Sequence, residues 1–113
     1  MNNFDLLTNI IKTQLDKDSS KTAIIDFDFF GGRVNFSTDI YNISGITNNA
    51  KSFIITIDPD EYDRSQMELA IEFNKSETEI EYTEEDECYC FVLKNVGITG
   101  LVNNQELMLT IER

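Results

Sequence analysis

Two cysteines and a dense run of carboxylates are the side chains in this sequence whose types and spacing could do chemistry. Cys88-x-Cys90 puts two thiols on the same side of any β-strand, with their Cα atoms about 6.7 Å apart. That separation is at the upper limit for a disulfide, and the two side chains run parallel. The chain has 2 Cys and no His, so a closed zinc site would need carboxylates for half its ligands. The thiols therefore read as reduced groups buried in the core of a cytoplasmic protein. Asp58-x-Asp60-x-x-Asp63 opens like a calcium loop. The pattern then fails, because Tyr62 and Asp63 stand where an Asx and a glycine belong, and Leu69 where the bidentate Glu belongs. Glu72-x-x-Lys75 after Pro59-Asp60 is one residue out of step with an Asp…Glu-x-Lys nuclease pattern, which would put the two side chains on opposite strand faces. Gly31-Gly32 lacks the Lys and Ser/Thr of a phosphate loop and reads as a turn. Without His, the usual general base is missing. The chain is expected to be neither an enzyme nor a metal or cofactor protein.

What remains is charge. The 113 residues carry 21 acids and 9 bases, a net charge of −12. Residues 58–87 hold thirteen of the acids against Arg64 and Lys75, a segment charge of −11, so the rest of the chain is close to neutral. Such a concentration costs folding stability through self-repulsion. It also excludes direct nucleic-acid binding, which needs Lys and Arg at phosphates, and binding to an anionic membrane. No apolar run approaches the ~20 residues of a membrane span. The opening residues lack a basic region followed by an apolar block, so the expected location is the cytoplasm.

The elements that must hold these groups can be read from periodicity. Phe4, Leu7, Ile11 and Leu15 recur at helical spacing, with Leu6 and Ile10 beside them, which predicts a helix over residues 3–17 capped by Asn2 or Asn3. Residues 22–30 and 33–41 predict a hairpin with Gly31-Gly32 as a two-residue type I′ turn. That register sets Phe29 against Val34, Phe27 against Phe36, Ile25 against Thr38, Ala23 against Ile40, Asp28 against Asn35 and Asp26 against Ser37. Residues 42–51 read as loop. A strand is expected over 52–58 and a charged connection over 60–66, with a helix beginning near Asp60 as the competing assignment. Another strand follows over 67–73. A turn at 74–77 would then pair Phe73 with Thr78, Ile71 with Ile80, and Glu72 directly with Glu79. Residues 88–93 are apolar on both faces and read as a central strand covered on both sides. Residues 95–104 read as loop and 106–111 as the last strand. The expected fold is one α+β domain, a monomer, with an N-terminal helix packed on a mostly antiparallel sheet of about six strands.

On this scheme Glu68, Glu72, Glu79 and Glu81 project from one sheet face, and Glu84, Glu85, Asp86 and Glu87 form the adjacent corner. Asp58, Asp60, Glu61 and Asp63 complete the expected partner-binding set. Carboxylates at i and i+2 on a strand are spaced by about 6.7 Å, similar to successive phosphates on a nucleic acid. The profile of a short acidic chain with one intensely charged segment and no catalytic set resembles the small phage and mobile-element inhibitors of host nucleases, above all the anti-CRISPR proteins. The resemblance covers the whole chain as a profile and rests on no motif. It implies an inhibitor whose partner is a basic nucleic-acid-binding protein, a Cas effector or another nuclease, engaged at its nucleic-acid channel. An immunity protein against a nuclease toxin would use the same electrostatics. A structural or assembly protein with a solvated acidic surface would not.

Overall fold

The computed structural model describes residues 2–29, 32–58, 69–95 and 106–113. Helix α1 spans Asn3–Lys17, and Asn2 caps it by accepting the Asp5 backbone N–H. Eight strands follow among the described residues: β1 (Thr22–Phe29), β2 (Gly32–Asp39), β3 (Ile43–Asn48), β4 (Ser52–Ile57), β5 (Leu69–Asn74), β6 (Thr78–Glu84), β7 (Cys88–Asn95) and β8 (Glu106–Glu112). They form a five-stranded sheet in the order β2-β1-β8-β7-β6 and a three-stranded sheet in the order β3-β4-β5. Every described strand pair is antiparallel. The fold is α+β, as expected, but with two sheets where one of about six strands was anticipated.

Alternation builds the core. Ala23, Ile25 and Phe27 of β1, Leu107, Leu109 and Ile111 of β8, and Phe91 and Leu93 of β7 all point to one side and are buried. Phe53, Ile55 and Ile57 of β4 and Ile71 and Phe73 of β5 meet them from the small sheet, with Phe4, Leu7 and Ile11 of α1 filling the same cluster. Ring contacts tie the layers together: Phe27 meets Phe73 edge-on at 6.5 Å and Phe4 meets Phe53 at 5.2 Å. The helix is further fastened by buried Gln14, which donates to the Glu112 carbonyl at 2.6 Å, and by Asn3, which donates to the Ile80 carbonyl at 3.0 Å.

Four expectations about pairing and cover are corrected. In the first hairpin Phe27 lies opposite Val34, Ile25 opposite Phe36, and Phe29 opposite Gly32. The ladder has slid by two residues, so the same residues face inward, and alternation could not have told the two registers apart. The observed register sets Arg33 opposite Asp28. From there its guanidinium reaches diagonally to Asp26, donating at 2.8 and 2.5 Å. The expected turn residue Gly31 lies outside the described residues. Second, residues 43–48 are a strand, although their Asn, Ser and Gly content reads as loop. A bulge at Ser44 breaks the alternation, and Ser44 donates to the Asp58 carboxylate at 3.0 Å. Third, β5 and β6 do not pair with each other. A 3₁₀ turn over Lys75–Glu77, capped by Asn74, carries the chain from one sheet to the other. Glu72 therefore lies opposite Ile54, and Glu79 lies opposite Lys94. Fourth, β7 is not equally buried on its two faces: Phe91 and Leu93 are buried, while Cys88, Cys90 and Val92 are only half-buried on the outer face of the large sheet. The expected helix or connection at 60–66 lies outside the described residues, as does the expected loop at 95–104 apart from Asn95, which ends β7.

The strand order can be checked by cross-linking. In a Cys88→Ser, Cys90→Ser background, Glu79→Cys with Lys94→Cys is expected to form a disulfide readily, because directly opposed Cα atoms sit about 4.5–5.5 Å apart. Glu72→Cys with Glu79→Cys is expected not to, as read by non-reducing gel mobility and free-thiol titration.

Candidate functional site

The carboxylates that the structure brings together follow β6 and the corner into β7. On β6, Thr78, Ile80 and Tyr82 turn inward, so Glu79 and Glu81 turn out, and Glu84, Glu85, Asp86 and Glu87 continue the ridge, all exposed. Among the described residues, two cations stand close to it. Lys94 lies opposite Glu79, and Arg113 pairs with Glu84 at 3.1 Å. Lys75 is turned away from the ridge. Its ammonium donates to the Asn48 side chain and stands 5.2 Å over the Phe4 ring. Glu72 is exposed on β5, in the other sheet, and Asp58 follows β4, so these two are not part of the β6 ridge. Asp60, Glu61, Asp63 and Glu68 lie outside the described residues. The face imagined from the sequence, with Glu72 and Glu79 across one ladder, does not exist.

The corner itself is held by the C-terminus. The Glu85 N–H donates to the Cys88 carbonyl at 2.9 Å, closing the hairpin, and the Arg113 N–H donates to the Glu87 carbonyl at 3.0 Å. The Arg113 guanidinium donates to the Glu85 carbonyl at 2.7 Å and stands 5.0 Å over the Tyr89 ring. Tyr89 in turn stacks on Tyr82, with ring centroids 6.5 Å apart.

Inside this corner lie the two thiols. Both cysteines are free, and their Sγ atoms are 3.7 Å apart. The Cys88 thiol also donates to the Glu85 carboxylate at 3.5 Å. Desolvation, with the neighbouring Cys90 and Glu85, pushes the Cys88 thiol up to about 11. A shallow pocket opens beside Cys88, lined by Ile24, Asp86, Glu87, Thr110, Glu112 and Arg113 among others. The thiols are free, as expected, but they are not core groups. Outward aim follows from the inward aim of Phe91 and Leu93 on the same strand. Sequence reasoning had no signal for Glu85 beside them, because that proximity is made by the hairpin corner.

At the far end of the same outer face, Arg33 forks onto Asp26 and comes within 3.5 Å of Asp28. The hydrogen bond from Arg33 holds the Asp26 carboxyl below its ordinary value of 3.8, against a smaller opposing effect of desolvation. Comparison with protein-family models, curated proteins and solved structures finds no match to this chain.

An NMR titration of the side-chain carboxyls is expected to place Asp26 below 3.8, and Arg33→Ala is expected to move it upward. The linkage has a definite sign. A carboxyl depressed in the folded state adds stability above its unfolded value and loses it as pH falls through the folded one. Acid unfolding of Arg33→Ala should therefore show less of that loss than the parent below pH 3.8.

Proposed function

We propose that this chain is a binding protein whose acidic ridge occupies a cationic, nucleic-acid-binding surface of another protein, acting as an inhibitor of a nuclease such as a Cas effector. The observation that carries the reading is the continuous exposure of Glu79, Glu81, Glu84, Glu85, Asp86 and Glu87 along one edge strand and its corner. Glu79 and Glu81 repeat at about 6.7 Å, a spacing close to that of phosphates along a strand. The backbone of the ridge's corner is braced by Arg113, which reduces the ordering of that loop required on binding. Exposed acids steer association, while an acid desolvated against a partner Arg holds the complex together. Charged side chains on an edge strand also deter pairing with other copies of the chain. Their run through the corner, beyond the paired residues of β6, goes further than that role requires.

The test is a panel of guide-loaded Cas effectors and other purified nucleases, assayed for cleavage with the protein added. At least one is expected to be inhibited, less so as salt rises or as competing DNA is added, because exposed charges are screened over about 8 Å at 0.15 M. Glu79→Lys, Glu81→Lys and Glu87→Lys together should weaken binding at least ~30-fold, equivalent to one desolvated pair of about 2 kcal/mol. Asp16→Lys with Asp39→Lys, exposed elsewhere, should change little. No inhibition across the panel, or equal inhibition by the triple variant with unchanged melting temperature, overturns the reading.

A further inference from the structure

The thiol pair suggests a site that the acidic ridge does not account for. We propose that Cys88, Cys90 and Glu85 form a three-ligand site for a thiophilic divalent cation, zinc being the biological ion of that class, with one coordination position open to water. The argument is geometric. A tetrahedral zinc with bonds of about 2.3 Å to sulfur and 2.0–2.2 Å to carboxylate oxygen holds two sulfurs about 3.8 Å apart and a sulfur and an oxygen about 3.5 Å apart. The Sγ atoms of Cys88 and Cys90 are 3.7 Å apart, and Cys88 Sγ is 3.5 Å from the Glu85 carboxylate. One donor atom from each of the three lies within 4.8 Å of the other two. Two of the three donor separations are thus already at the edge lengths of a coordination tetrahedron.

Three further features fit such a site. Both thiols are half-buried on a sheet face beside a pocket, so an ion can reach them. Cys88 and Cys90 are successive same-face residues of one strand, at the upper limit of backbone separation for a disulfide and with side chains running parallel, so convergence of their sulfurs favours a shared ligand over a covalent bond. The corner that supplies Glu85 is pinned by Arg113, whose guanidinium holds the Glu85 carbonyl at 2.7 Å. A site with three protein ligands and an open fourth position is the arrangement in which zinc keeps a water. Binding releases the thiol protons to solvent and involves no change in oxidation state.

The reduced, chelator-treated chain is titrated with Cd²⁺ while the ultraviolet thiolate-to-metal charge-transfer band is followed, and with Zn²⁺ in competition with a chromophoric chelator. One ion per chain is expected, with a rise in melting temperature on saturation. Cys88→Ser and Cys90→Ser should each weaken binding by more than the roughly 100-fold that loss of an outer-shell partner can cost, and Glu85→Gln by at least about tenfold. Glu84→Gln should leave it unchanged. Should a serine variant fail to fold, X-ray absorption at the zinc edge of the parent decides, with two sulfur neighbours at about 2.3 Å expected. Binding that survives loss of either cysteine, one ion shared by two chains, or a zinc edge with fewer than two sulfurs overturns the proposal. None of these readouts depends on a protein partner, so the site and the inhibitory reading can fail separately.

Discussion

The inward alternation of β1, β8 and β7 is the constraint on which the rest of the structure depends. Odd-numbered residues of all three strands carry the apolar side chains, from Ala23 to Phe27, Leu107 to Ile111, and Phe91 to Leu93, and they are buried with exposures of 8% or less. A slip of one residue in any of these ladders would turn a whole set into water and bring Asp26, Cys90 or Glu112 into the core. Burial of a Leu, Ile or Phe side chain is worth roughly 1.5–3 kcal/mol each, so such a slip is strongly disfavoured. The outer face is then whatever the even-numbered residues happen to be. Here they are the Asp26 and Asp28 carboxylates, the two thiols, Lys94 and the acids of β8, with Ile24 and Met108 left 44% and 42% exposed among them.

The second sheet and the helix exist to close the other side of that core. Phe53 and Phe73 come from strands of the small sheet, Phe4 and Leu7 from the helix, and all reach one cluster. Covering it from two directions requires the chain to leave the small sheet after β5 and enter the large one at β6. The Lys75–Glu77 turn makes that passage within three residues. Lys75 is drawn inward over Phe4, and Thr78 caps the passage by donating to the Asn74 carbonyl at 2.7 Å. The same passage separates Glu72 from Glu79, which relieves a like-charge pair that one hairpin would have imposed.

Charge and thiol chemistry meet at the β6–β7 corner because the C-terminal strand is the middle strand of the large sheet. β8 sits between β1 and β7, so Glu112 and Arg113 arrive beside Cys88 and the corner acids. Arg113 reaches Glu84 by ion pair, Glu85 by its carbonyl and Tyr89 by its ring. A residue at the end of the chain thus orders a hairpin formed some 30 positions earlier.

Local signals were enough for α1, whose stripe, Asn2 cap and ends at residues 3 and 17 are all readable from spacing and capping chemistry. They were enough for the inward residues of β1, β5 and β8, because burial imposes a period of two that polar residues cannot imitate; β7, apolar on both faces, gave no such signal. The α+β class follows from those elements together. Periodicity is blind to shifts of two residues, so the slide of the first hairpin, which brings Arg33 to Asp26 and Asp28, was not legible. It is equally blind to which strands pair: a short turn between two alternating strands reads as a hairpin whether or not the chain changes sheets. Strand β3 was hidden because its bulge at Ser44 breaks the alternation. The carboxylates and cysteines were visible as residue types, but the outward aim of the two thiols was not, because residues 88–93 are apolar on both faces. The approach of Glu85 to Cys88 and Cys90 was not visible, because three donor atoms within a few ångströms are set by a hairpin corner and a distant arginine. Sequence spacing determines which face a side chain takes, while only the packed tertiary structure determines what stands next to it.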